Sequence, residues 1–141
     1  MARGQNKQSI AFRFEPGMIM RLRDRARQAG AAQTALAERY IEEGLRCDEH
    51  PLVYFRAGAA GRRPSVLGSR LDVADVVTTL RQNENSIAET AEYLDIPAEQ
   101  VDAALRYYAD YQEEVDAWIE QADLIARRER ERWQRQQDAL A

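Results

Sequence analysis

Hydrophobic and polar residues alternate near the start of the chain, in the segment SIAFRF at residues 9–14. The alternation predicts a half-buried strand that stops at Pro16 and Gly17. No neighbouring segment predicts a second strand before about residue 52. Because unpaired backbone groups cost free energy, the partner of this strand must come from elsewhere. One face of the predicted strand carries Ile10, Phe12 and Phe14, and the other carries Ser9, Ala11 and Arg13.

Two helices are predicted after the strand, at about residues 18–29 and 35–46. Gly30 is placed to end the first helix in a left-handed conformation, and Thr34 is placed to cap the second. Their apolar positions recur every three or four residues and include Leu22, Leu36, Tyr40 and Ile41.

The remaining pattern predicts a β-hairpin followed by four helices. Residues 53–56 and 63–67 flank a Gly-Ala-Ala-Gly turn, which is typical of a hairpin. Helices are expected at about 71–82, from the capping pattern SIAE at 86 to about 94, and from about Pro97. A last helix begins near Glu113 and holds an apolar stripe for three turns. The stripe then gives out, so the tail is either frayed or waiting for a partner.

Charge is distributed unevenly along the chain, although its net value is −4. Residues 1–46 contain nine Arg and Lys against five Asp and Glu, residues 47–111 six against eleven, and residues 112–141 five against eight. A basic N-terminal part on an acidic remainder predicts that one end meets an anionic partner. A single cysteine, Cys47, no signal-like start and no long apolar run predict a cytoplasmic protein that has no membrane segment.

The order of strand, helix, glycine-containing turn and helix in about 40 residues resembles the ribbon-helix-helix family of DNA-binding proteins, the Arc/MetJ/CopG type. The resemblance implies that the missing partner is the same strand from a second chain. Two strands would form an antiparallel ribbon over interlocked helices, in an intertwined homodimer; assembly of two dimers into a tetramer is left open. The dimer core would then contain Ile10, Phe12, Phe14, Leu22, Leu36, Tyr40 and Ile41.

The opposite face of the ribbon would enter the major groove of operator DNA. Arg13 can bind guanine through two hydrogen bonds, and Ser9 can bond to several bases. Ala11 departs from the polar residue common at this place in the family, although it could touch a thymine methyl group. Thr34 matches the helix N-terminus that clamps phosphate. Lys7 and Arg3 would add non-specific attraction to DNA. The alternative is a dimerisation module that does not bind DNA.

Residues 50–120 carry a second resemblance, to a helix-turn-helix family of formerly unknown function found in many bacterial antitoxins. The segments that carry this resemblance are the hairpin with GRRP at 61–64 and AALRYYADYQEEVD at 103–116. The resemblance implies pairing with a PIN-like ribonuclease toxin, in the manner of VapB antitoxins. Base recognition by this domain is disfavoured, because its second helix has three acids against Arg106 alone.

The tail offers groups suited to an acidic nuclease cleft, namely arginines beside aromatic rings. A solvated helix of mixed charge is the alternative. The candidate toxin-binding residues are Trp118, Arg127, Arg128, Arg130, Arg132, Trp133 and Arg135.

Enzyme classes find little support. Cys47 and His50 have no further partner for catalysis and make a poor metal set, and no phosphate-binding loop is present. No cofactor is expected.

The expected architecture is mainly α-helical. It comprises a ribbon-helix-helix at 1–46, a hairpin and helix-turn-helix domain at 47–111, and a C-terminal helix and tail at 112–141. The expected function is a type II antitoxin that neutralises its toxin and represses its own operon. The alternatives are a ribbon-helix-helix regulator without a toxin, whose second domain serves oligomerisation or ligand sensing, and a purely structural scaffold.

Overall fold

The computed structural model describes residues 6–141, and that part of the chain is mainly helical with one two-stranded antiparallel sheet. The elements are α1 Pro16–Ala29, α2 Gln33–Glu49, β1 Val53–Gly58, β2 Gly61–Val66, α3 Val73–Gln82, α4 Ile87–Leu94, α5 Ala98–Asp110 and α6 Gln112–Leu140. The mainly helical class, the hairpin and the long C-terminal helix are thereby confirmed.

The chain divides into two compact units, and the division falls within α2. The N-terminal unit extends to Glu42, and the C-terminal unit comprises Glu43–Ala141.

Residues 6–15 of the N-terminal unit form neither helix nor strand in the single chain. The predicted strand at 9–14 is therefore not formed here, as expected of a strand that lacks a partner. The helix that follows ends at Ala29 as predicted, but it begins at Pro16, two residues before its predicted start. Pro16 stands in its first turn, where the missing N–H is tolerated. Gly30 ends it with φ of 62°, as predicted, and its N–H faces the carbonyls of Ala26 and Arg27.

Two predictions about α2 are wrong in position. Thr34 is not its cap, because the N–H of Leu36 already bonds to the carbonyl of Ala32 at 3.0 Å and the helix begins at Gln33. Thr34 lies in the first turn instead. The helix also continues past Arg46 to Glu49, since the N–H of His50 still bonds to the carbonyl of Arg46 at 2.8 Å.

The hairpin of the C-terminal unit has the predicted turn. Val53 pairs with Val66 at one end and Gly58 pairs with Gly61 at the other, which leaves two alanines at the tip. Gly61 adopts φ of 123°, which L-residues rarely adopt. Val53 and Val66, at the open end of the hairpin, pack against the helices as part of the hydrophobic core.

The helices of the C-terminal unit enclose one hydrophobic core. Ser86 caps α4 as predicted, with its hydroxyl accepting the N–H of Glu89 at 3.2 Å. Asp72 stands at the N-cap of α3, and Pro97 stands just before α5. The core contains Val53, Val66, Val73, Val76, Val77, Leu80, Ala91, Val101, Ala104, Tyr107 and Val115. It therefore draws on both strands and on α3 to α6.

The last helix does not fray. α6 runs for 29 residues to Leu140, and only Val115 in its first turns is fully buried. From residue 121 to 140 every residue of α6 is exposed. Within residues 6–141, no helix is both long enough and apolar enough to cross a membrane.

Candidate functional site

The residues predicted to face DNA are exposed in the N-terminal unit. Ser9, Ala11 and Arg13 lie in the irregular segment before α1, and Thr34 is exposed in the first turn of α2. Lys7 pairs with Glu38 across 3.2 Å, with both side chains largely in solvent. Such a pair contributes little to stability and can exchange for a phosphate contact. Arg3, the other predicted contributor, lies outside the described residues.

The residues predicted to form a dimer core are mostly exposed in the single chain. Ile10 is 77% exposed, Phe12 57% and Phe14 47%, and in α2 Tyr40 is 45% and Ile41 50% exposed. Leu22 is half-buried, and Leu36 is buried.

The aromatic rings of this segment already share one side. The rings of Phe12 and Phe14 are stacked, with their centroids 5.8 Å apart. The N-terminal unit therefore has an exposed apolar surface that includes Ile10, Phe12 and Phe14.

The helices α4 and α5, which the sequence predicts to form a helix-turn-helix, present an acidic surface. Asp95 makes the turn in a left-handed conformation, and Glu92 and Glu99 are exposed on either side of it. The cation of α5, Arg106, pairs with Asp102 of the same helix at 2.8 Å. An acidic surface whose arginine is already paired repels phosphate, which weighs against base recognition here.

Arg46 near the end of α2 is anchored within the C-terminal unit. Its guanidinium bonds to Glu114 of α6 through two N–H groups, at 2.5 and 2.9 Å, and to the hydroxyl of Tyr107 at 2.9 Å. It also lies over the ring of Tyr111, 4.0 Å from its centroid. Burial raises the pKa of Tyr107 to about 12, although the hydrogen bond from Arg46 opposes that rise.

A second ionic cluster surrounds Asp72, whose side chain is only 8% exposed. Arg56 contacts one carboxylate oxygen at 2.7 Å, and Arg63 contacts the other at 3.2 Å. The hydroxyl of Ser65 donates a further bond at 2.9 Å. A buried carboxylate needs such partners, so this cluster fixes the hairpin to the start of α3.

Trp118 packs within the C-terminal unit instead of being fully exposed for a partner. Its side chain is half-buried, with the guanidinium of Arg63 lying 5.8 Å from its ring centroid. The other predicted toxin-binding residues are all exposed along α6, and Trp133 is 59% exposed. Among the described residues, only Arg132 of the five tail arginines has an ion-pair partner, Glu129 at 3.6 Å.

The chemistry of Cys47 and His50 fits structural roles. Burial raises the pKa of the Cys47 thiol, and the nearby Glu43 and Asp48 raise it further, which disfavours the nucleophilic thiolate. His50 bonds to Asp110 at 2.8 Å beside a groove of about 210 Å³ that is lined also by Glu49, Glu99 and Asp102. Residues 6–141 contain no group of three or more His, Cys, Asp or Glu side chains placed to hold a metal ion.

Sequence reasoning missed the polar contacts that fix the end of α2. Arg62 holds Glu43 through two bonds of 2.7 Å, and Arg46 holds Glu114, but these partners are 19 and 68 residues apart. The predicted helix at 35–46 already places Glu43 and Arg46 on successive turns, but nothing in the sequence pattern indicates which distant residues they contact. No protein-family model, curated protein or solved structure matches the chain.

Proposed function

We propose that the protein is a dimeric DNA-binding repressor of the ribbon-helix-helix type that also serves as an antitoxin. The exposed apolar side chains of the N-terminal unit carry this proposal. Ala26 and Leu36 are the only buried apolar residues among those described in this unit, whereas Ile10, Phe12, Phe14, Met18, Met20, Tyr40 and Ile41 are between 45% and 77% exposed. So many exposed large apolar groups in so short a segment mark a surface that is completed by a partner.

A second copy of the same chain meets this need in full. An antiparallel pairing of residues 9–14 with their copy satisfies the backbone groups that the single chain leaves without a strand partner. The same pairing turns Ile10, Phe12 and Phe14 of both chains toward shared helices. It also leaves the opposite face, with Ser9, Ala11 and Arg13, in solvent.

The exposed face of this ribbon has the chemistry of a base reader. Arg13 is exposed, and no acidic group lies within 4 Å of it among the described residues, so its guanidinium is available for guanine. The basic residues of this part of the chain supply attraction to phosphate. Ribbon strands in the major groove are an established mode of DNA recognition.

The test is the binding of the full chain to a DNA fragment carrying its own promoter, titrated at several salt concentrations. Arg13→Ala should weaken specific binding by about 1–3 kcal/mol if the contact to guanine is bidentate. The matched control is Arg70→Ala, which removes an exposed arginine of the C-terminal unit and should leave binding unchanged. Equal binding by the wild type and Arg13→Ala would overturn the assignment of Arg13, and absence of binding at low salt would overturn DNA recognition.

The exposed second half of α6 supports the antitoxin part of the proposal. Arg127, Arg128, Arg130 and Arg135 have no acidic partner among the described residues, and Trp133 lies among them. Arginines and an aromatic ring on one helix suit the acidic, metal-binding cleft of a PIN-like nuclease. Without such a nuclease, the protein would be a regulator whose C-terminal unit serves oligomerisation or ligand sensing.

A truncation distinguishes these two functions. It should fall after Ala126, because Val115 is buried and Ile119 packs against the core, so that a cut before α6 would damage the C-terminal unit. The shortened chain should still bind promoter DNA. It should lose protection against a PIN-like nuclease that is encoded in the adjacent reading frame and co-expressed with it. Full protection by the shortened chain would contradict the role of the tail.

A further inference from the structure

One exposed face of α6 carries opposite charges on either side of a central leucine. Because an α-helix turns by about 100° per residue, positions four, seven and eleven residues from Leu124 lie near its face. On the N-terminal side these positions hold Glu120, Ala117 and Glu113, and on the C-terminal side Arg128, Glu131 and Arg135. All of these side chains are exposed, and Leu124 itself is 41% exposed.

This face points away from the residues by which α6 packs on its own unit. Val115 is fully buried, and Trp118 and Ile119 are half-buried. These three residues lie on the far side of the helix from Leu124, at 120° or more around the axis. The face that contains Leu124 is therefore open along the whole length of the helix.

We infer that this face binds the same face of α6 from a second copy of the chain, with the two helices antiparallel and Leu124 at the twofold axis. A twofold axis at Leu124 brings Glu120 opposite Arg128 of the copy. It also brings Glu113 opposite Arg135. Each pair occurs twice, so the interface contains four ion pairs of opposite charge around a small apolar centre.

Four charges of this face have no ion-pair partner in the part of the chain that the structure describes. None of the four residues Glu113, Glu120, Arg128 and Arg135 forms an ion pair within residues 6–141. Glu120 and Arg128 stand about 12 Å apart along their own helix, too far for a direct contact. An antiparallel copy satisfies both ends at once, whereas a parallel copy would place Glu120 opposite Glu120 and Arg128 opposite Arg128.

The pairing engages Arg128 and Arg135, so these two arginines bind either the second copy or the nuclease cleft proposed above. Arg127, Arg130 and Trp133 lie outside this face, at 60° or more from Leu124 around the helix axis. The inference does not rest on DNA binding or on a toxin. Combined with a dimer of the N-terminal unit, it would join two dimers into a tetramer.

A charge swap tests the pairing, with sedimentation equilibrium of the full chain at low salt. The measurements are made in a Phe12→Ala background, so that association through the N-terminal unit does not contribute. Glu120→Arg and Arg128→Glu should each weaken self-association by about tenfold or more, because each places like charges opposite one another twice. The double variant should restore association to nearly the starting level.

Mixing the two single variants gives the sharpest outcome. One then carries only arginines at positions 120 and 128 and the other only glutamates, so they should form heterodimers in preference to either homodimer. Glu129→Arg and Arg130→Glu are matched controls, because both lie off the Leu124 face and should leave association unchanged. Since all of these residues are exposed, helix content by circular dichroism should stay the same.

Covalent capture provides a second measurement. In a Cys47→Ser chain, Leu124→Cys should form a disulfide-linked dimer under mild oxidation, while Ala126→Cys on the opposite side should not. If the double variant associates as weakly as the single ones, the antiparallel arrangement is overturned. If no substitution changes the molar mass measured by sedimentation equilibrium and no cross-link forms, α6 does not bind its own copy. Its charged face would then bind another partner.

Discussion

The two units of the chain treat their hydrophobic residues in opposite ways. In the C-terminal unit, eleven apolar residues from two strands and four helices form one buried core, in which Tyr107, Val101 and Val115 have no exposed surface. In the N-terminal unit, Phe12 and Ile10 remain more than half exposed. The C-terminal unit buries its core within a single chain, whereas the N-terminal unit leaves most of its large apolar side chains exposed.

The difference follows from how each segment can satisfy its backbone. Only Ala59 and Ala60 separate the two strands of the hairpin along the chain, so the strands pair within it. Residues 9–14 have no second strand nearby, and helices cannot supply the missing hydrogen bonds. The unit with local partners pairs its strands within the chain, and under the proposed dimer the other unit takes its partner strand from a second copy.

The largest effect is expected from Phe12→Ala in the N-terminal unit. Dimerisation would bury the Phe12 ring of each of the two chains. Loss of both rings should raise the dissociation constant of the dimer more than a hundredfold, which corresponds to about 3 kcal/mol in the free energy of dimerisation. The single chain exposes this ring already, so helix content should not change. Ser9→Ala, on the other face of the same segment, should leave dimerisation unchanged. Sedimentation equilibrium in dilution series measures both, and equal effects would remove the distinction between the two faces.

In the C-terminal unit, Tyr107→Ala should lower the free energy of unfolding by about 3–5 kcal/mol, because it leaves a cavity in a close-packed core. It also removes a hydrogen-bond partner of Arg46. Tyr93→Ala is the control, since Tyr93 is 73% exposed, and it should change stability by less than about 0.5 kcal/mol. Urea unfolding followed at constant protein concentration measures both, and a small loss for Tyr107→Ala would contradict a self-sufficient core.

A smaller effect is expected at alkaline pH. The pKa of Tyr107 is raised in the folded chain to about 12, against an ordinary value of 10.0. The neutral phenol is thus favoured by folding, and its contribution is present below pH 10 and lost between pH 10 and about 12. The loss from this one group should reach at most about 1.4 kcal/mol per pH unit. Tyr107→Phe should flatten the pH dependence of stability in this range, and an unchanged slope would show that Tyr107 is not responsible.

Local patterns predicted the parts of the fold that local physics decides. The Gly-Ala-Ala-Gly turn, the cap at Ser86 and the left-handed Gly30 each depend on a few neighbouring residues, and the structure confirms all three. The start of α2 differs from its prediction by two residues, a shift of the size that helix ends allow.

Contacts between distant residues could not be predicted in the same way. In the sequence Arg46 is only one more charge, yet in the structure it bonds to Glu114 of α6 and to the hydroxyl of Tyr107 of α5. Trp118 was assigned to a partner, but the hairpin brings Arg63 over its ring. In both cases the sequence shows a residue that can make a strong contact, but the tertiary packing determines which residue it contacts.

The most direct test of the completed N-terminal unit is amide hydrogen exchange at residues 9–14, measured over a range of protein concentrations. If a second copy supplies the partner strand, alternate amides of this segment should become protected as the concentration rises, while the amides of α5 remain protected throughout. If every amide of residues 9–14 exchanges freely at concentrations where the chain is dimeric, the ribbon does not form and the account of this unit is wrong.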